Sequence, residues 1–319
     1  MSNHTIVCAG IDTGKRKLDA AIGHGAGELQ VDNTLEGHAA LSAWLQRHQV
    51  ERVGIEATGG CEHDVVTRLR RDGFTVIVFQ PSQVRAYARF HLKRAKTDRI
   101  DAALIADCAA ARKAEDIHAP PDPRIAPFAE QLTMIEQIGE DIARIKTRRA
   151  TVRGQDIRQA WNDEIKRLTQ NKRIRLKQLV AAIRRHPDLA QKLELIASVD
   201  SIALPSAVEI LVRCPEIGTI SREKAAALAG LAPYADDSSD QHGPRHIQGG
   251  RERLRKALYN AAFAGAFRWN KQLAAIYKRL TAKGKHHKAA LIACARKLLS
   301  FVNAVLVRQT PWVSQNQSA

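Results

Sequence analysis

Apolar residues alternate with polar ones in short runs over the first third of the chain. Such runs predict strands near residues 5–12, 17–23, 28–34, 51–56 and 74–79. Apolar residues at helical spacing predict helices near residues 37–48, 62–72, 81–91 and 97–114. Three strands joined by short turns indicate an antiparallel meander, and the later βαβ units add parallel strands. Residues 1–118 are therefore predicted to form an α/β domain around one mixed sheet.

The pattern becomes helical after a proline-rich stretch. Residues 119–127 hold four prolines and predict a linker. Residues 128–187 predict a coiled-coil and basic helical region, in which a second helix over 163–185 returns beside the first. Its inward positions are Leu132, Ile135, Ile138, Ile142, Ile145 and Val152 on the first helix, and Ile165, Leu168, Leu176, Leu179 and Ile183 on the second. Residues 188–310 predict a further helical unit, and residues 311–319 form a polar tail.

Four carboxylates occupy informative positions in the first domain. Asp12 ends the first predicted strand, Glu56 ends the fourth, and Asp98 and Asp101 share one face of a predicted helix. Converging carboxylates repel unless a cation joins them, and such oxygen ligands suit Mg²⁺, with Mn²⁺ as the substitute. For one acid alone, a solvated surface position is the simpler interpretation. All four together, on an RNase H-like order of elements, favour a metal site.

The charge balance points to a polyanionic partner. The 319 residues include 50 Lys and Arg against 33 Asp and Glu, which gives a net charge of +17 and a pI near 10.0. Residues 144–185 and 245–308 carry most of the excess, so nucleic acid is the first candidate. Aromatic residues make up only 5% of the chain, and no stacking platform is predicted.

Other features of composition concern the compartment. Five scattered cysteines predict buried thiols in a reducing cytoplasm, with neither disulfides nor a metal site. Neither a signal peptide nor an apolar run of about 18 residues is evident, so a cytoplasmic protein without a membrane partner is expected.

A second motif lies in residues 230–263. Its first part is rich in turn-forming residues and contains Ser238 and Ser239, and arginines open the helix that follows. A hydroxyl near such arginines is suited to attack a phosphodiester, although serines in loops of this composition more often cap helices or build turns. The basic residues beside the two motifs are candidate nucleic-acid contacts: Lys96, Arg99, Arg245, Arg251, Arg253, Arg255 and Lys256.

These residues match a known family over nearly the whole chain. The matching segments are GIDTGKRKLD, IEATGG, the proline of FQPSQVRAYA, KTDRIDA, the GLAPY-to-SS segment and GGRERLRKALY. They resemble the DEDD transposases of bacterial insertion sequences, which are bridge-RNA-guided serine recombinases related to Piv-type DNA invertases. The resemblance implies a RuvC-like N-terminal domain that binds Mg²⁺ through Asp12, Glu56, Asp98 and Asp101, a coiled-coil insertion, and a C-terminal transposase domain.

The resemblance also implies roles and partners. Ser238 would be the nucleophile that forms a phosphoserine ester with DNA, donor and target DNA would be the substrates, and a structured RNA from the element would guide the choice of site. Active sites from different subunits, in a dimer or tetramer, would complete one another. Two departures stand out: Ser239 replaces the glycine of the usual Asp-Ser-Gly, which leaves Ser238 and Ser239 both open as nucleophile, and residues 199–202 replace a Pro-Gly-Ile-Gly hairpin.

Three alternatives remain open from sequence. A metal-dependent nuclease or junction resolvase would use the carboxylates to activate water, with the serine segment purely structural. A non-catalytic nucleic-acid-binding scaffold would bind without needing Asp12 or Glu56. An actin-like sugar kinase shares the glycine-containing first strand, but a second copy of that domain is not evident and the basic helical half suits it poorly.

Overall fold

The computed structural model describes residues 6–92, 98–113, 122–234, 237–238, 241–242 and 246–313, with the backbone alone for 24, 98–100, 237–238 and 241–242. The chain forms two compact units, Met1–Pro120 and Pro121–Ala319. The predicted fold class is confirmed, because a mixed α/β unit precedes a mainly helical one.

The first unit is built on a five-stranded sheet. Its strands are β1 (Cys8–Thr13), β2 (Lys17–Ile22), β3 (Gly27–Asp32), β4 (Arg52–Glu56) and β5 (Thr75–Phe79), in the order β3-β2-β1-β4-β5. The first three pair antiparallel, whereas β4 and β5 join in parallel. Four helices cover the sheet: α1 (Leu35–Arg47), α2 (His63–Arg71), α3 (Pro81–Phe90) and α4 (Asp98–Ala110).

The two faces of the central strands pack against different helices. Ile11, Val53 and Ile55 are fully buried in a core with side chains of α1 and α2. The opposite face packs against α3 and α4, where Phe79 and Ile105 belong to a second core. Because successive side chains of a strand point to opposite faces, Gly10, Asp12, Gly54 and Glu56 all belong to the α4 side.

The second unit begins with a helical hairpin. Helix α5 (Ile125–Thr151) packs along α6 (Gln155–Arg184). Its start differs from the prediction, since α5 begins inside the predicted linker 119–127. Pro127 lies in the first turn, where the N–H that proline lacks has no helical partner in any case.

The hairpin turn also differs from the prediction. Val152, predicted on the helical seam, follows the end of α5 with extended backbone, and α6 starts at Gln155 rather than near residue 163. Leu179 and Ile183 are buried as predicted, whereas Ile165, Leu168 and Leu176 are only half-buried.

The remaining helices share one core with the base of the hairpin. They are α7 (Pro187–Ala197), α8 (Leu204–Arg213), α9 (Arg222–Leu228), α10 (Glu252–Ala264), α11 (Lys271–Ala282) and α12 (His287–Arg308). Side chains from α5, α6 and all six of these helices contribute to this core, among them Leu132, Ile183, Leu193, Leu211, Leu258 and Leu298. By length and composition alone, α12 could cross a membrane, but 61% of its apolar window is buried. Within the described residues it is therefore a core helix.

Candidate active site

Asp12 and Glu56 end neighbouring parallel strands. The register of β1 and β4 pairs Gly10 with Gly54 and Ile11 with Ile55, so the two acids follow one step further along. Both are half-buried and belong to the side of the sheet that α4 covers. The predicted positions of these carboxylates at strand ends therefore agree with the structure, although their metal-binding role stays a prediction.

Helix α4 approaches this edge of the sheet with its N-terminal end. At the start of β4, Arg52 Nη1 donates hydrogen bonds to the carbonyl oxygens of Ala109 (2.9 Å) and Arg112 (2.8 Å). Further along the strands, the backbone of Ala102 and Ala106 lies over Gly10. The helix therefore runs opposite to β1 and β4. Its N-terminal turn, which carries Asp98 and Asp101, therefore lies towards the end of the sheet where β1 and β4 finish.

The close packing of α4 on the sheet depends on two glycines. A Cβ atom at Gly10 would overlap the carbonyl oxygen of Ala102, and one at Gly54 would come within 2.8 Å of the carbonyl oxygen of Ile105. Any larger residue would push the helix away from the sheet. Neither glycine stands out in the sequence, although each lies two residues before a predicted acidic ligand.

A fifth acid stands beside the predicted four. Asp19 on β2 is directly opposite Asp12 and is buried. Its carboxylate accepts a hydrogen bond from Gln30 Nε2 (2.6 Å) and lies 3.5 Å from Lys17 Nζ. Directly opposed acids on one face of a sheet repel each other. The alternation of residues 17–22 indicated a strand that carries Asp19. The sequence did not reveal the register that places Asp19 opposite Asp12.

The described side chains do not by themselves make up a metal site. No group of three or more His, Cys, Asp and Glu residues among them could hold a metal ion. This set includes Asp12, Glu56 and half-buried Asp101, while the side chain of Asp98 lies outside it. The donors at this edge are carboxylate oxygens, whose chemistry fits Mg²⁺.

A buried glutamate braces the loop that follows Glu56. Glu62 Oε2 accepts hydrogen bonds from the N–H groups of Thr58 (3.1 Å) and Gly60 (2.9 Å) and from the Thr58 hydroxyl (3.3 Å). Burial acts to raise the pKa of Glu62, but hydrogen bonds from backbone N–H groups outweigh it and hold the pKa below its ordinary value. Glu62 was not among the functional residues predicted from the sequence.

Two further contacts join this loop to the end of β1. The Thr13 and Thr58 hydroxyl oxygens lie 2.7 Å apart. Asn33 Nδ2 donates to the carbonyl oxygens of Gly14 (2.9 Å) and Cys61 (3.0 Å). The loops that follow Asp12 and Glu56 are thus held to each other by hydrogen bonds.

The serine segment is a nested β-ribbon rather than the loop that its turn-forming residues predicted. Strands β6 (Pro233–Tyr234) and β9 (His246–Ile247) form the outer pair, and β7 (Asp237–Ser238) and β8 (Gln241–His242) form the inner pair. Within the inner pair, the backbone of Ser238 pairs with that of Gln241. Ser239 and Arg245 lie outside the described residues, as do Lys96 and the side chain of Arg99.

Two glycines close the base of the ribbon. Gly230 and Gly250 have φ values of 65° and 70°. A Cβ atom on Gly250 would overlap the backbone nitrogen of Gly230, so these two segments of the chain meet where only glycine fits. Arg255 Nη1 donates to the Gly249 carbonyl oxygen at 2.6 Å and reinforces this crossing.

Several predicted nucleic-acid contacts have partners within the protein. Arg251 forms a bidentate pair with Glu216 (2.6 and 2.7 Å). Arg253 Nη1 lies 2.6 Å from Glu136 Oε2. Lys256 is exposed on the same helix. The arginines at this site therefore hold the helix after the ribbon in place, and their contact with nucleic acid stays a prediction.

Known protein families match both the segment that carries the acids and the segment that carries Ser238. Residues 9–152 match the family model of IS110-type DEDD transposases, described as a transposase, and residues 193–278 match the transposase family of IS116, IS110 and IS902. Together the matches cover more than two thirds of the chain. The chain belongs to the IS110-type transposase family. All four predicted acidic ligands lie in the first match, and Ser238 lies in the second.

Two curated relatives are similar along almost their full length. The pilin gene-inverting proteins of Moraxella bovis and Moraxella lacunata are each 26% identical over 318 residues, which covers 95% of this chain and 96% of the relative. Membership of this family of transposases and DNA invertases makes the protein an enzyme that acts on DNA.

Proposed function

We propose that this transposase breaks and rejoins DNA strands through a phosphoserine ester on Ser238, supported by Mg²⁺ on the carboxylates of Asp12, Glu56, Asp98 and Asp101. The observation that carries the metal part is the direction of α4. It runs opposite to β1 and β4, so the helix that bears Asp98 and Asp101 begins at the edge where Asp12 and Glu56 end their strands.

The chemistry of that edge fits a divalent cation. The opposed pair of Asp12 and Asp19 places two acids on one face of the sheet, and positive charge nearby would relieve their repulsion. Glu62 and Asn33 hold the loops that follow Asp12 and Glu56 in place, which is the support that a metal site needs. When bound, Mg²⁺ would supply positive charge that stabilises a phosphoryl group during transfer.

The serine part of the proposal is a transesterification without net hydrolysis. The Ser238 hydroxyl loses its proton as its oxygen bonds to phosphorus. The bond from phosphorus to the 3′ oxygen breaks, and the 3′ oxygen takes up a proton and leaves as a hydroxyl group. The 5′ side of the strand stays esterified to the protein. A 3′-hydroxyl of another strand then attacks the same phosphorus and releases Ser238, so the bond is conserved.

The remaining partners follow from the family resemblance. Donor and target DNA are the substrates, a structured RNA selects them by base pairing, and two or more copies of the protein assemble on them. Along α6, Ile165 and Leu168 are half-buried and Ile157 and Ile174 are exposed, which is consistent with further helix packing in that assembly.

Covalent trapping tests this function. Purified protein is mixed with nucleic acid from its own locus, labelled donor and target DNA and Mg²⁺, and separated on a denaturing gel. We expect a protein–DNA adduct that is lost in Ser238→Ala, kept in Ser239→Ala and strongly reduced in Asp12→Asn. Asp163→Asn, which removes an exposed acid on α6, is the matched control and should keep the adduct.

Two outcomes would contradict the proposal. Metal-dependent cleavage without an adduct in any lane would indicate a nuclease that activates water, with the serine ribbon purely structural. DNA binding with neither cleavage nor adduct, unchanged in Asp12→Asn, would indicate a non-catalytic scaffold.

A further inference from the structure

Four aromatic rings gather at the surface of the second unit. Phe263 ends its helix near Phe267, with ring centroids 5.1 Å apart, and Phe267 meets Tyr277 of α11 edge to face at 5.0 Å. Tyr277 in turn meets His287, the first residue of α12, at 5.7 Å. Phe263 is 47% exposed and Phe267 is 50% exposed. We refer to these four residues as the aromatic cluster.

The backbone beneath the cluster departs from a regular α-helix. Residues Gly265–Trp269 form a π-helical segment, in which the N–H of Asn270 donates to the carbonyl oxygen of Gly265, five residues earlier, at 3.0 Å. Asn270 is buried, and its Oδ1 accepts from the N–H of Leu273 at 3.0 Å, which starts α11. Segments of this kind are rare and are often found at functional sites.

Hydrogen bonding and packing fix the cluster. Gly265 packs so closely on the turn before α8 that a Cβ atom would lie 2.6 Å from Ser201 Oγ. The Tyr277 hydroxyl and His287 Nδ1 are 2.7 Å apart and hydrogen-bonded. The half-exposed phenylalanine rings are therefore presented on a rigid support. A ligand that covered these rings would remove their apolar surface from contact with water, which is a reason to expect a ligand here.

The charged residues of this part of the sequence are all basic. No acidic residue follows Glu252 in the chain. The loop between α11 and α12 leads directly into His287, and the exposed basic residues of this region are Arg268, Lys271, Lys278, Arg279, Lys283, Lys285 and Lys288. A second copy docking here through the same surface would bring like charges together, whereas a polyanion is complementary.

We propose that the aromatic cluster binds unpaired DNA, with bases stacked on Phe263 and Phe267 and phosphates held by the neighbouring lysines and arginines. In a duplex the base faces are already stacked on one another, so exposed rings select single strands. This inference rests on the proposed strand exchange, which separates the strands of its substrates. The same surface would hold a strand between cleavage and rejoining.

Binding of labelled single-stranded and duplex DNA tests this surface. Measurements use the full chain with Ser238→Ala and EDTA, so that neither the nucleophile nor a metal is needed. Phe267→Ala should weaken single-strand binding by about five- to 100-fold, the loss of one stacked base, and leave duplex binding nearly unchanged. Phe90→Ala, which removes an 81% exposed ring from the first unit, is the matched control and should change neither.

Further variants distinguish stacking from simple apolar contact. Phe267→Trp should keep single-strand binding, and Phe267→Leu, which retains apolar volume without a π face, should lose it. If Phe267→Ala fails to fold by circular dichroism, the Leu and Trp variants carry the test. Lys285→Gln should lower the slope of log affinity against log salt by about 0.7, the value for one single-strand phosphate contact.

Three results would overturn the inference. Single-strand binding that is equal in wild type and Phe267→Leu excludes stacking on this ring. A change of oligomeric mass in Phe267→Ala by light scattering, with single-strand binding unchanged, makes the cluster an interface between copies. Tighter binding of single-stranded RNA than of DNA of the same sequence, lost in Phe267→Leu, assigns the surface to RNA. Each of these results leaves the covalent-trapping test of Ser238 unaffected.

Discussion

Gly10 on β1 lies directly under the carbonyl group of Ala102 on α4, with no room between them for a Cβ atom. This contact lets a helix that bears Asp98 and Asp101 lie flat against the strands that end in Asp12 and Glu56. A glycine in a strand interior usually weakens the sheet, so its position here is best explained by the close approach of the helix.

Gly10→Ala should therefore destabilise the first unit. We expect the free energy of unfolding to fall by about 2–3 kcal/mol, because the new methyl group overlaps backbone that cannot move aside without lifting α4. Urea denaturation followed by circular dichroism measures the change. Gly23→Ala is the matched control, since its Cβ atom would meet only the Cys8 carbonyl oxygen at an ordinary 3.4 Å. Equal unfolding of the two variants would contradict this account of α4.

Glu62 should stabilise its loop only while it is ionised. Its folded-state pKa lies below the ordinary 4.5, so its contribution is present above that pH and is lost as the pH falls through the folded-state value. Glu62→Ala should cost about 2–3 kcal/mol at pH 7, because three hydrogen bonds to a carboxylate are lost. Glu62→Gln, which keeps an acceptor without the charge, should cost less.

The pH dependence checks the role of that charge. The stability difference between wild type and Glu62→Gln should shrink as the pH falls below 4.5. A difference of equal size throughout the acid range would show that the side chain acts through its shape alone.

Ser201 occupies a position that suits glycine. Its φ is 80°, and its hydroxyl is buried without a hydrogen-bond partner in the described part of the chain. Ser201→Gly should raise the free energy of unfolding by about 1–2 kcal/mol, because it removes both the left-handed strain and an unpaired polar group. Thermal unfolding monitors the change.

Ser198 provides the opposite control for that variant. Its hydroxyl donates to the Leu195 carbonyl oxygen (2.7 Å) and accepts from the N–H of Trp312 (2.9 Å). Ser198→Gly should therefore lower the melting temperature. A lower melting temperature in Ser201→Gly as well would mean that the turn needs the Ser201 side chain.

Variants of Arg251 and Lys256 should distinguish a charge that stabilises the fold from a charge that binds DNA. Arg251→Gln breaks the bidentate pair with Glu216 and the hydrogen bond to the Arg213 carbonyl oxygen, so we expect a loss of stability of about 1–2 kcal/mol. Lys256→Gln removes an exposed charge and should change stability by less than about 0.5 kcal/mol. Its effect should appear in DNA affinity, with a salt slope lower by about one. An unchanged salt slope in Lys256→Gln would remove that residue from the DNA contacts.

Much of the first unit could be predicted from the sequence because its signals are local. Alternating apolar runs define buried strands, and the five predicted strands lie within a few residues of β1 to β5. Asp12 and Glu56 could be placed at strand ends for the same reason. Part of the hairpin core was predicted in the same way. Its turn near Val152 was not, because the polar start of α6 has no strong apolar period.

Contacts between distant segments were beyond the reach of the sequence. The serine segment is a ribbon because Gly230 and Gly250 cross at its base, and turn-forming residues alone do not reveal which strands pair. The aromatic cluster brings together rings from residues 263 to 287. The low aromatic content of the sequence did not predict it. Composition measures how many such residues exist, whereas packing decides where they meet.

The sequence by itself determined the order of strands and helices in the first unit, the basic character and the family to which the chain belongs, since these depend on local pattern and on residue identity. Only the tertiary structure decided the direction of α4 over Gly10 and Gly54, the bracing role of Glu62 and the partners of Arg251 and Arg253. These properties depend on distances between segments far apart in the chain, and only the packed backbone sets such distances.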